Sequence, residues 1–418
     1  MADVVIDATV LAAPRPSSQR GMVWTTISIG YFFGIDSDGL GKYWKTSNKG
    51  ITWAGGVTFS TAAKVVDTVG IWYDKWTKSD TSTKIRIAWL DETDDICRYT
   101  DLDTSGDTLG SIATVHDPSA AVQGGSWDLV HVTVCKAEGG DVHIGTIMND
   151  NDPIDGGHFS SDPDTISFSA VDGSGALYEV SGAFDQDSAF FFPWNSGTAA
   201  DIACAYVDKA SNQITLKTFS ATGSAWTEQA ATISHGETSS FISVAAMYRH
   251  TDDHFWIVAS NTQGFSSSDL VIYRFEDSTA IAATDNVVLN TSTFSEATLM
   301  INQQNGDLYV GYMNGSTYNT VVNPVYRKST DNSDSWGSEL AYGEATAAEF
   351  TGIWAGLSVG DDGGRFQPTF AQQADSDLFT NNVNSVEIAA IAADGDQEPA
   401  LIGGKLVDNS VVLKHLVH

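Results

Sequence analysis

Ile85-Arg-Ile-Ala-Trp-Leu-Asp91 and Leu308-Tyr-Val-Gly-Tyr-Met-Asn314 are two copies of the pattern that decides the fold. Each is a short apolar run with a small residue at its middle and an acid or amide at its end. Five further copies run Tyr31 to Asp36, Val142 to Asn149, Ile202 to Asp208, Phe255 to Asn261 and Phe366 to Gln372. Their central residues are Gly34, Ala88, Gly145, Ala205, Val258, Gly311 and Thr369, separated by 54, 57, 60, 53, 53 and 58 positions. Alternation with a period of two predicts strands. A long, regular repeat predicts units that cannot bury their apolar faces alone and must stack on neighbours.

Other strands recur at matching offsets. Ile71-Trp-Tyr73, Leu129 to Val134, Phe190 to Phe192 and Ile242 to Met247 precede copies, and Ile96 to Tyr99, Ile214 to Phe219, Leu270 to Arg274 and Val386 to Ile388 follow them. Three or four strands per unit, with no convincing amphipathic helix, is the pattern of a propeller blade. The reading is therefore all-β: one seven-bladed β-propeller domain over residues 1–418, with six as the alternative blade count. Approximate blades are 20–62, 65–113, 122–172, 185–233, 238–290, 294–343 and 349–405. Terminal segments close the ring, with Val4-Val-Ile6 and Val411-Val-Leu413 as the candidates. A β-helix would repeat at about 20–29 residues, and sandwiches do not repeat.

Two turns carry a family likeness. After the third strand of the sixth unit stands Ser329-Thr-Asp331-Asn-Ser333-Asp-Ser335-Trp336, and the first unit has Thr46-Ser-Asn48-Lys-Gly50-Ile-Thr52-Trp53. An Asp or Asn here accepts bonds from the turn's own N–H groups, a Gly supplies positive φ, and a Trp plugs the space between blades. Both turns resemble the Asp box, S-x-D-x-G-x-T-W, of sialidase-like propellers. Gly223-Ser-Ala-Trp226 is a worn version, and Asp101-Leu-Asp103-Thr-Ser105-Gly106 occupies the same place in the second unit. The resemblance implies a structural role for Thr46, Asn48, Gly50, Trp53, Ser329, Asp331 and Trp336, on the outer rim and away from the ligand face. It also implies, for a sialidase, an arginine triad with a Tyr–Glu pair. Arg98, Arg274 and Arg327 fall in third strands, toward the outside of blades, so sialidase activity is not expected.

Asp and Glu number 53 against 21 Lys and Arg, a formal net charge of −32. Such a surface repels nucleic acid and anionic membranes, and it suits a saline or halophilic setting in which self-repulsion is screened. No apolar run approaches the ~20 residues of a membrane span. Cys97, Cys135 and Cys204 are too few and too far apart for a disulfide scaffold or a zinc site, and read as buried hydrophobes. The start, Met1-Ala-Asp-Val-Val-Ile-Asp7, carries acids where a secretory leader carries bases. The expected location is a virion or extracellular surface, reached from the cytoplasm without a Sec signal.

Candidate chemistry follows from strand direction. The second-to-third strand turns should share one face of the disc, which would ring it with Asp36, Asp91, Asn149, Asp208, Asn261, Asn314 and Gln372. With Trp89, Tyr206 and Tyr312 nearby, that ring is the expected ligand site, because fixed hydrogen bonds and ring stacking recognise neutral sugars. The competing reading is that Asp and Asn simply begin turns. Asp101, Asp103 and Ser105 have the oxygen spacing of a calcium loop without its distal Glu, so Ca²⁺ is the one cofactor suggested. Asn149 to Gly157 and Asp394 to Glu398 are looser versions. His131 with His143, and His250 with His254, read as strand or loop histidines. The expected function is non-enzymatic recognition or assembly, as in a virion surface, tail-fibre or receptor-binding protein. Its partners would be a glycan or a neighbouring virion protein, with a homo-oligomer open. The alternative is a carbohydrate-active enzyme, either glycoside hydrolase or polysaccharide lyase, on the same propeller.

Overall fold

In the computed structural model the chain forms a seven-bladed β-propeller. The structure describes residues 4–7, 21–61, 65–91, 93–117, 128–149, 157–171, 189–194, 202–208, 213–220, 225–228, 233–234, 241–252, 254–261, 270–275, 283–290, 293–314, 323–343, 350–372, 378–381, 383–391, 401–402 and 405–406. Each blade is an antiparallel meander running outward from the axis. Blade 1 is Met22–Trp24, Gly30–Ile35, Gly41–Thr46 and Val57–Thr58. Blade 2 is Val66–Tyr73, Lys84–Asp91, Ile96–Asp103 and Ala113–His116, and blade 3 is Asp128–Lys136, Val142–Asn149, Gly157–Ser161 and Ser169–Ala170. Blades 4 and 5 begin at Ala189–Pro193 and Phe241–Tyr248. Blade 6 begins at Thr293–Asn302, whose inner edge is extended in parallel by Ser358–Val359. Among the described residues, no helix is long and apolar enough to cross a membrane.

Blade 7 departs from the sequence reading. Its strands are Phe350–Trp354, Thr369–Gln372, Leu378–Thr380 and, outermost, the N-terminal Val4–Asp7. The run from Phe366 to Gln372 is not one strand. Pro368 has no N–H for a ladder, so Gly364–Phe366 pairs instead with Val386–Ile388, and Leu378–Thr380 takes the third-strand place. Val4 pairs with Thr380, and Asp7 accepts a 2.8 Å bond from the Trp44 indole of blade 1. The first segment of the chain thus locks the last blade to the first. Val411-Val-Leu413 lies outside the described residues.

The small residue at each repeat centre has a packing cause. A Cβ on Gly145 would stand 2.6 Å from the ring of Phe191, on the inner strand of blade 4. One on Gly311 would meet Ile353 and Phe366 of blade 7 at 3.2 and 3.4 Å. At these two positions the neighbouring blade lays a large side chain where the central strand has none, whereas at Gly34 the ring of Phe32 in the same strand takes that space, 2.8 Å from where a Cβ would stand. Gly145→Val should therefore cost about 1–3 kcal/mol through overpacking, read as a lower urea midpoint, whereas an unchanged midpoint would show that the blades can slide apart freely.

Turns from third to fourth strand lean back on the preceding blade. In blade 1, Thr46 Oγ1 accepts from Gly50 N at 3.0 Å and Asn48 Oδ1 from Thr52 N at 3.0 Å. Ser329 and Asp331 do the same for Ser333 N and Ser335 N at 3.0 Å each. Lys49 and Gly50 have φ of 65° and 76°, and Asn332 and Ser333 have 60° and 71°, so the two turns share one backbone path. From them Lys49 reaches Glu387 of the blade 7 ribbon at 3.0 Å, and Ser333 Oγ accepts from Trp256 of blade 5 at 3.1 Å. Asp107, in the corresponding turn of blade 2, accepts from Tyr31 of blade 1 at 2.7 Å. Trp53 packs against a cluster holding Ile6, Met22, Trp24, Phe32 and Trp44, and Trp336 against the main core.

Candidate functional site

The polar ring expected on the second-to-third turns is absorbed by the fold wherever its side chains are described. Asp36 is buried; its Oδ1 accepts from Asp38 N and Leu40 N at 3.0 and 2.8 Å, and its other oxygen pairs with Lys42. Asp91 is fully buried, holding Thr93 N at 3.2 Å and Arg98 Nε at 3.3 Å. Asn314 donates to Glu339. Asn149, Asp208, Asn261 and Gln372 end their strands as expected, but their side chains lie outside those described.

The three aromatics are a correction. Trp89, Tyr206 and Tyr312 are 0%, 3% and 0% exposed, so none offers a ring face to a sugar. Trp89 packs edge-on against Phe59, Lys217 lies over Tyr206, and the Tyr312 hydroxyl donates to Glu339 at 2.8 Å and accepts from Arg327 Nε at 3.1 Å. Each blade is covered on both faces by its neighbours, so alternation along a strand does not leave one side in water.

Asp101, Asp103 and Ser105, the expected calcium loop, sit in a network of hydrogen bonds and ion pairs. Asp101 is held by Lys84 at 3.2 Å and faces Arg86 at 3.5 Å. Asp103 Oδ1 accepts from Ser105 N, Ser105 Oγ and Thr83 Oγ1 within 2.9 Å, and these bonds hold its carboxyl below the usual range. Asp103 Oδ1 and Asp101 Oδ2 are thus engaged by hydroxyl, backbone and cationic donors, which compete with a cation for those two oxygens. Among the described residues, no group of three or more His, Cys, Asp or Glu is placed to hold a metal ion. Residues 150–156 and 394–398, in the looser loops, lie outside the described ones.

A cavity of about 550 Å³ instead opens at the axis on the other face, among the first-to-second strand connections. Antiparallel strands place these connections on the same face as the third-to-fourth turns. Its principal wall is the connection that follows Tyr73 in blade 2, with one 3₁₀ turn at Asp74–Trp76. This segment crosses the axis to blade 5, three places round the ring. There Lys78 N donates to Tyr248 OH at 2.7 Å, and His250 Nε2 lies 3.0 Å from the Trp76 carbonyl. A carbonyl only accepts, so His250 Nε2 carries the proton.

Both ends of the crossing segment are fixed by buried charge. Arg86 grips Asp74 with two bonds, Nε to Oδ1 at 2.9 Å and Nη2 to Oδ2 at 2.7 Å, and donates to Tyr99 OH at 3.0 Å. Lys136 bridges Asp74 at 3.3 Å and Asp80 at 2.6 Å. Burial alone would lower the pKa of Arg86, but the bonds and charge of Asp74 overcome this and raise it. Thr77 completes the anchor, accepting from Trp72 Nε1 at 3.0 Å and donating to Lys136 O at 2.7 Å.

Trp24, Tyr73, Lys75, Trp76, His250 and Gln303 border the cavity, and Asp361 and Asp362 stand exposed at its rim. Lys75 pairs with Asp362. Burial, together with the charges of Asp362 and Asp74, pushes the Tyr73 phenol upward, so it remains a donor at neutral pH. Sequence reading noted His250 but missed the rest. The one signal was the aperiodic stretch Asp74 to Thr83, too long for a hairpin and carrying a Trp and two Lys between well-patterned strands. The expected histidine pair separates: His131 bonds Ala189 O at 2.8 Å, while His143 pairs at 3.0 Å with His158, all three buried.

No family model and no curated protein sequence matches this chain. Solved structures do. An ulvan lyase, described as a new polysaccharide lyase family, superposes with a TM-score of 0.54 at 9% identity, over 93% of this chain and 95% of that one. A Hadza microbial sialidase gives 0.48 at 11% identity over 89% of this chain, which spans 66% of its length. The fucose-specific lectin from Aleuria aurantia gives 0.46 at 13%, over 79% and 99%. The ulvan-lyase likeness runs through nearly the whole of both chains and agrees with the propeller fold.

Proposed function

We propose that this protein is a non-enzymatic recognition module that takes a glycan, or a glycan-bearing partner, into the axial cavity. The observation that carries this reading is the cavity itself. Its volume lies within the ~300–1,000 Å³ of small-ligand sites, and its walls mix aromatic rings with convergent polar groups. A virion surface or tail fibre, assembled as a homo-oligomer, is the setting we propose. All three cysteines are buried and none is in a disulfide, so the disc suits assembly in a reducing cytoplasm before release. A saline environment belongs to the same proposal, since the charge of −32 is tolerated best where it is screened. We read the turns at Thr46–Trp53 and Ser329–Trp336 as Asp boxes, serving the fold rather than the ligand.

One observation favours the enzymatic alternative. Tyr73, Lys75 and His250 border the same cavity, and a lyase uses a base, an acid and a cation to remove a proton beside a carboxylate. A glycan array run at low and high salt, beside a turnover screen for hydrolysis and elimination, separates the two readings. Recognition predicts saturable retention of at least one glycan with no product formed. Product formation that is lost in His250→Ala would replace it with the enzyme reading, and retention of no glycan at all would end both.

A further inference from the structure

We propose that the axial cavity selects a neutral, hydroxyl-rich sugar, with the indole N–H groups of Trp24 and Trp76 donating to its oxygens and the rim acids turning acidic glycans away. This rests on the glycan-recognition reading above and deepens it. Trp24 and Trp76 are 4% and 2% exposed, and neither indole nitrogen has an acceptor. Other indoles in the blade interfaces, Trp89 and Trp194 among them, also lack one, so a missing partner alone says little. What distinguishes Trp24 and Trp76 is that both residues border the cavity. Both indole nitrogens are buried, so donation to a sugar oxygen requires the wall to open around them, and the bond then forms in a setting where it counts for more than in water.

Charge decides which sugar. The lining carries Lys75 and Lys78 against Asp80, Asp361 and Asp362. Lys75 is already paired with Asp362, and Asp80 with Lys136. Lys78 stands against the exposed Asp361 in the lining, so the field at the mouth is set by a molecule whose net charge is −32. A carboxylate or sulfate would enter against that field. A hydroxyl group suits the site better, because it accepts from an indole N–H and donates to a carboxylate with the same oxygen.

Calorimetric titration of the full chain with neutral hexose and deoxyhexose oligosaccharides, and with uronate-bearing and sulfated ones, tests this. Neutral sugars should bind at least about tenfold more tightly than acidic ones, a difference of roughly 1.4 kcal/mol. Trp76→Phe and Trp24→Phe, which remove the N–H and keep an aromatic ring, should each weaken neutral binding by about tenfold. Neither variant breaks an existing hydrogen bond, so the binding loss should exceed any change in thermal midpoint. Asp361→Asn should narrow the gap between acidic and neutral sugars, and it carries the test alone if an aromatic variant does not fold. Equal or tighter binding of acidic sugars, or indole variants that bind like the parent, would overturn the proposal. A parent protein that binds no sugar at all would instead remove the recognition reading beneath it.

Discussion

Acidification from about pH 6.5 to about pH 4.5 should unfold this protein, and the steepest loss should come before most carboxylates titrate. Four histidines of blades 2 and 3 are held neutral by the fold. Burial pushes His116 and His131 down to about 4 and His143 to about 3, and lowers His158 well below its ordinary value. The unfolded chain binds a proton at each of these positions near pH 6.5. Stability from depressed histidines is thus fully present above that pH and is lost as pH falls toward the folded values. Each extra proton taken up by the unfolded state tilts stability by about 1.4 kcal/mol per pH unit. Four together give roughly 5 kcal/mol per unit, against a total stability on the order of 5–15 kcal/mol.

The geometry of His143 and His158 explains why they resist protonation. An indole N–H only donates, so the 3.2 Å bond from Trp226 Nε1 makes His158 Nδ1 an acceptor. His158 Nε2 then carries the hydrogen and donates to His143 Nδ1. A further proton on either nitrogen that now accepts would set donor against donor. The rings are walled by Phe191, Phe219 and Trp226, with no room for water to repair the contact. Relief of carboxylate repulsion opposes the loss, but it belongs to pH values below about 5, nearer the carboxylate range. Urea unfolding across this pH series, with proton uptake on unfolding measured by calorimetry in two buffers, checks the expectation. A flat profile between about pH 6.5 and pH 5 would mean that these histidines are not buried and neutral.

Why the blades were legible in the sequence and the site was not is a matter of repetition. Gly34, Gly145 and Gly311 recur because the strand centre must leave room for a large side chain, from the next blade at Gly145 and Gly311 and from Phe32 and Trp44 of the same blade at Gly34. The strand-end acids also recur, but for a local reason: Asp36 and Asp91 close their own turns, as their residue type alone would allow. Ring closure stayed ambiguous because Val4-Val-Ile6 and Val411-Val-Leu413 present the same β-branched edge to any test of pattern. The axial cavity arises where repetition fails. Asp74 to Thr83 occurs only after the first strand of blade 2 and Ser358 to Gly363 only after the first strand of blade 7, and only folding brings them beside His250. Asp74, Arg86 and Lys136 are 12 to 62 positions apart in the chain, and their pairing cannot be read from spacing.

That buried cluster supports the second large effect. Arg86→Met should destabilise the protein by about 3–5 kcal/mol, the usual cost of stranding one partner of a buried ion pair. Asp74 and Arg86 are 0% and 2% exposed, so water cannot replace the guanidinium. Lys136 would remain, but it reaches Asp74 through one contact at 3.3 Å and is shared with Asp80. Asp74→Leu alone should cost a similar amount, because it leaves Arg86 with Tyr99 and the more distant Asp101. The double variant should recover most of the loss, since an apolar pair of similar volume is often neutral or better than the ion pair it replaces. It should not recover ligand binding to the same degree. Asp74 starts the segment that crosses the axis, and without its bonds to Arg86 and Lys136 the wall carrying Trp76 loses its fixed end. A urea-denaturation cycle on the two single variants and the double, with sugar titration on whichever of them fold, separates stability from the site. Loss of under about 1 kcal/mol in Arg86→Met would place this cluster among ordinary surface ion pairs and leave the crossing segment held by packing and by the hydrogen bonds of Thr77, Lys78 and His250.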